Sequence, residues 1–119
     1  MEANCAYLQR RLGFDEAQLA RVVAASPPLL YLSVDGNLAP KLDYLLGATG
    51  LSVDELRDHV LRLPAIPSYS LERRYRPRVE ACVAAGVDPA YVLTSAPYTD
   101  EKFAIRLELK RDLLDGVAI

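Results

Sequence analysis

Four arginines fall within six residues, Arg73-Arg74-Tyr75-Arg76-Pro77-Arg78, with an aromatic ring set among them. A guanidinium presents a planar fork of donors that matches phosphate oxygens, and every phosphate it neutralises releases counterions, so such a cluster suits sequence-independent contact with a nucleic-acid backbone. Arg57 and Arg62 extend the stretch, and of the segments 1–48, 49–84 and 85–119 only 49–84, with six basic against five acidic side chains, has a positive balance. The competing reading is a solvated helix face with Glu72, Glu80 and Asp58 as partners. Tyr31, Tyr69 and Tyr75 could stack on bases, although aromatics at helical spacing more often fill a core.

Other chemistry is poorly supplied. The single histidine, His59, has neither a second histidine nor a cysteine nearby and falls on the inward face of a helical pattern, where a half-buried core imidazole is expected. No P-loop, glycine-rich dinucleotide fingerprint, nucleophile triad or paired-carboxylate motif is present, so the sequence reads as a non-enzyme without cofactor. Cys5 and Cys82 are far apart and form no CxxC pair, which supports neither a disulfide framework nor a metal site. The balance of 14 Lys plus Arg against 16 Asp plus Glu, a net charge of -2, does not by itself announce a nucleic-acid binder. A chain of 119 residues, 51% hydrophobic and 25% charged, suits one globular domain, and no apolar run reaches the roughly 20 residues that span a bilayer. The first residues show no targeting segment.

The elements that must position the arginines are legible in an internal repeat. An offset of 37 residues lays Gly13 on Gly50, Leu19 on Leu56, Val23 on Val60, Pro27 on Pro64, Ser33 on Ser70 and Pro40 on Pro77, without a gap. The frame predicts a partial unit over 1–12, repeats over 13–49 and 50–85, and a degenerate unit with a terminal helix over 86–119, so the chain reads as beginning within a unit. Asp15 with Gln18 and Ser52 with Glu55 have capping-box spacing and open a first helix of about three turns, which Pro27 or Pro64 closes. The short proline-rich stretches that follow suit a 3₁₀ corner. Ser33 and Ser70 then cap a second helix in which Pro40 and Pro77 force either a bend, the favoured reading, or a fresh start. Gly47, Gly50 and Gly86 are placed at the exit turns. Lys41 takes the place of Arg78, so successive basic residues could follow one backbone. No stretch alternates with a period of two, and the fold class is all-α: a solenoid with two α-helices and a 3₁₀ turn per unit.

These motifs resemble the mitochondrial transcription termination factor (mTERF) family. The first unit supplies Leu12-Gly13-Phe14-Asp15, Pro27-Pro28-Leu29-Leu30, Ser33-Val34-Asp35-Gly36-Asn37-Leu38 and Pro40-Lys41-Leu42-Asp43. The second supplies Gly50-Leu51-Ser52, Pro64-Ala65-Ile66, Ser70-Leu71-Glu72-Arg73-Arg74 and Pro77-Arg78-Val79-Glu80, and Thr99-Asp100-Glu101-Lys102-Phe103 is similar to the segment that follows the last repeat. The resemblance implies stacked helical units in mitochondria or chloroplasts that bind double-stranded DNA or RNA and act in transcription termination, transcription regulation or RNA processing. The site residues expected on this reading are Arg73, Arg74, Arg76, Arg78, Lys41, Arg57 and Arg62. The array is shorter than the family's usual one, which points to missing repeats or a protein partner at the N-terminal edge. The alternative is a protein-interaction scaffold whose groove has no nucleic-acid role.

Overall fold

Asp15 and Ser52 each open a helix by the same exchange of hydrogen bonds. The Gln18 N–H donates to the Asp15 carboxylate at 2.7 Å and the Asp15 N–H to the Gln18 side chain at 3.0 Å; Glu55 and Ser52 repeat the pair at 3.1 and 3.0 Å. Each box satisfies two backbone donors that a helix start would otherwise leave unpaired. The helices so begun, α2 (Glu16–Ala25) and α4 (Val53–Arg62), run into 3₁₀ corners at Pro27–Leu30 and Ile66–Ser68 that bury Leu29 and Ile66. The computed structural model describes residues 2–116; Met1 and the last three positions of the expected terminal segment lie outside the described residues.

The prolines are accommodated by a device the sequence does not announce. Ser33 and Ser70 accept from the Gly36 and Arg73 N–H groups, each at 3.0 Å, and then start not an α-helix but one π turn, Val34–Leu38 and Leu71–Tyr75. In these turns the Leu38 N–H reaches back five residues to Ser33 and that of Tyr75 to Ser70. The α-helices α3 (Ala39–Thr49) and α5 (Arg76–Ala85) follow directly, with Pro40 and Pro77 in their first turns, where an absent N–H is least missed. The wide turn takes the place of the expected bend. Gly50 and Gly86, both at φ 72°, end α3 and α5 in the left-handed region, whereas Gly47 stays inside α3.

Residues up to Tyr69 form one compact unit and those from Ser70 onward a second. In the first, α1 (Glu2–Leu12) packs against α2 and α4, α2 packs against α4, and the two 3₁₀ corners meet. Leu8, Leu12, Val22, Leu42, Leu45 and Leu56 are removed from solvent there, each contributing on the order of 1.5–3 kcal/mol of transfer free energy. In the second, α5 packs on α6 (Tyr91–Thr94) and α7 (Asp100–Leu114), with Tyr75, Val79, Val92 and Phe103 inside and the Tyr91 and Phe103 rings stacked at 5.9 Å. The third first-type helix has shrunk to the four residues of α6, and Pro97 arrives early. The architecture is all-α, with no strand among the described residues and no described helix long and apolar enough to cross a membrane.

Candidate nucleic-acid interface

The arginine cluster does not form one surface. Arg78 is 3% exposed: its Nη1 donates to the Ser95 carbonyl at 2.9 Å, its Nη2 to the Tyr98 carbonyl at 2.6 Å and to Asp100 at 3.0 Å, and its guanidinium lies over the Phe103 ring at 4.7 Å. Arg74, four residues earlier and so on the same side, donates to the Ala96 and Tyr98 carbonyls. Both therefore serve the loop between α6 and α7, where the Ser95, Ala96 and Tyr98 carbonyls lie beyond the end of a four-residue helix and take side-chain donors. Tyr75, a candidate for base stacking, is fully buried between them in sequence. Arg73 and Arg76 are more open: Arg73 is exposed, and Arg76 makes a two-point contact with Glu72 one turn earlier, at 3.0 and 3.1 Å.

In the first unit Lys41 is 2% exposed and donates to the Asn37 side chain and the Pro67 carbonyl, both at 2.7 Å. Burial pushes its ammonium down to about 8. Arg57 donates to Asp54 at 3.1 Å and to the Leu12 carbonyl at 3.4 Å, beside Gly13, where φ is 75° and a Cβ would come within 3.1 Å of its Nη1. Arg62, in the last turn of α4, is exposed. His59 is half-buried, as its helical position implied, and its pKa is lowered, first by that burial and then by Arg62. Tyr31 is 74% exposed and Tyr69 half-buried.

The placement of Arg78 and Lys41 corrects the expectation that both face a ligand. A cation this deep, with its donors committed to carbonyl oxygens, cannot reach a phosphate without giving up those buried hydrogen bonds. A third residue joins them. Asn4, 7% exposed, donates to the Leu29 and Leu32 carbonyls at 2.7 and 2.6 Å. Asn4, Lys41 and Arg78 stand 37 residues apart in turn, and each sends its donors into the corner that follows the next first-type helix. The signal was available: the 37-residue frame carried back to Asn4 marks a polar residue recurring where its helix faces inward.

The sequence pattern of the mTERF family matches residues 1–104 of the chain. The chain belongs to the mTERF family. No solved structure matches it. For an mTERF chain the recurring polar position explains how each corner keeps its backbone satisfied without a longer helix, and it leaves Arg62, Arg73, Arg76 and the partly covered Arg57 as the expected site residues with accessible guanidinium groups.

Proposed function

We propose that this mTERF chain binds double-stranded nucleic acid, DNA or RNA, without turnover, in mitochondrial or chloroplast transcription termination, transcription regulation or RNA processing. The observation that carries the reading is family membership over residues 1–104 together with accessible arginines in each unit. Arg57 and Arg62 are the contacts in the first unit and Arg73 and Arg76 in the second, while Lys41, Arg74 and Arg78 hold the corners that present them. The recurrence of capped helix, 3₁₀ corner, serine-capped π turn and proline-started helix supports repeats over 13–49 and 50–85, flanked by 1–12 and 86–119.

The test is a salt series with duplex DNA and duplex RNA. Affinity falls steeply as salt rises, and replacing Arg62, Arg73 and Arg76 together by alanine lowers the slope by about one for each phosphate left without its guanidinium. Failure of the full chain to bind either duplex at low salt overturns the reading. A protein-interaction scaffold remains the second reading, and the apolar face of α7 favours it.

A further inference from the structure

Helix α7 is apolar on two sides. Phe103 and Leu107 are buried against the rest of the second unit, as an amphipathic helix requires, yet Ile105, Leu109 and Leu113 are 55%, 49% and 56% exposed. Spaced four residues apart, they lie one above another along three turns of one face. A row of large aliphatic side chains in water on an otherwise charged helix marks a surface that is covered in use.

The charges beside the row say by what. At 100° per residue, Arg106 and Lys110 fall along one edge of the stripe and Glu101, Glu108 and Asp112 along the other, while Lys102, within the stripe at its N-terminal end, has its ammonium over the Tyr98 ring at 4.2 Å. A uniformly acidic or uniformly basic partner would satisfy one edge and be repelled at the other. A helix with the same stripe and the same two edges satisfies both, provided it lies parallel and is related by a two-fold axis along the helix direction. That operation sets the basic edge of each helix against the acidic edge of the other, whereas an antiparallel pair would set like against like. Glu101 and Arg106, five residues apart across the stripe, have the spacing at which parallel helices exchange ion pairs. On the basic side the stripe continues into a groove lined by Tyr91, Tyr98, Leu109 and Leu113, which adds apolar area to the contact.

We propose that the Ile105-Leu109-Leu113 face of α7 is an interface between two copies of this chain, joined as a parallel two-fold helix pair with reciprocal Glu101–Arg106 contacts. The area is at the small end of specific interfaces, so the dimer is a weak, reversible one. It does not depend on nucleic acid, and the proposed duplex binding does not depend on it.

Sedimentation of the full 119-residue chain without nucleic acid tests the pairing. Over about 10–500 μM, a range suited to a small interface, the wild type shifts from monomer toward dimer. Leu109→Gln, an exposed substitution that keeps the helical circular dichroism, weakens association at least about tenfold, the effect of some 1.4 kcal/mol. Glu101→Arg and Arg106→Glu each weaken it alone, because each homodimer then brings like charges together, and an equimolar mixture of the two regains it as a heterodimer. A wild type that stays monomeric throughout the range, a dimer indifferent to Leu109→Gln, or a mixture no better than its components overturns the proposal. The first of these outcomes would assign the stripe to a different partner.

Discussion

Lys41 and Arg78 occupy the same place in successive units and solve the same problem with different chemistry. In the first unit the corner is regular, and a single ammonium suffices, bonded to the Pro67 carbonyl and steadied by Asn37 four residues earlier. In the second unit the first-type helix has collapsed to four residues, and three carbonyls after it, those of Ser95, Ala96 and Tyr98, take arginine donors. There a planar fork spans the Ser95 and Tyr98 carbonyls while Arg74, in the place of Asn37, adds a second guanidinium. The difference teaches that the local concentration of arginine answers the degeneration of the next corner as much as any ligand. A planar fork is the better tool where acceptors are several and spread, a point charge where they are few.

The largest effect expected from breaking this comparison is at Arg78. Arg78→Met takes a charged donor from the Ser95 and Tyr98 carbonyls, which keep only the Tyr98 N–H and Arg74 respectively, and removes the guanidinium packed on the Phe103 ring; it costs about 2–4 kcal/mol by urea unfolding. Arg78→Lys recovers less than half of that, because an ammonium cannot span both carbonyls. Lys41→Met comes next, at about 1–3 kcal/mol, with the Pro67 carbonyl unpaired.

Lys41 also predicts a pH dependence. Its folded value of about 8 lies below the ordinary 10.5, so between those limits the unfolded chain binds more protons than the folded one. The cost of burying the charge is fully present below pH 8 and is relieved as pH rises through that window. Wild-type stability relative to Lys41→Met therefore climbs there by up to about 1.4 kcal/mol per pH unit. Lys41→Arg flattens the profile, because a guanidinium keeps its charge throughout.

Asn4→Ala, which removes the neutral version of the same interaction, costs about 1–2 kcal/mol. The smallest effect on folding belongs to Arg73→Ala, under about 0.5 kcal/mol because the side chain is exposed. If Arg73 meets a phosphate, this variant lowers the salt slope of duplex binding by about one. A large stability loss at Arg73, or a small one at Arg78, would invert the assignment of the two arginines.

Much of the local structure was legible because it depends on neighbours in the chain. The capping boxes at Asp15 and Ser52, the serine caps at Ser33 and Ser70, and the proline-closed helices are decided within a few residues. The π turns were not, since an i→i+5 bond has no residue signature of its own, and the expected bend at Pro40 and Pro77 was replaced by them. The site was read less well. Charge density along Arg73–Arg78 was visible, but which guanidinium turns inward depends on carbonyls 17 to 24 residues away. Arg78 and Arg73 differ little as sequence and completely as surroundings.

The amino-acid order alone determined the helical class, the 37-residue frame and the points at which helices begin and stop, because caps, prolines and left-handed glycines act on the backbone beside them. Only the tertiary structure decided which cations are structural and which face water. Burial and carbonyl partners come from segments brought together across many residues, and a side chain's chemistry is set by the dielectric and donors it meets there.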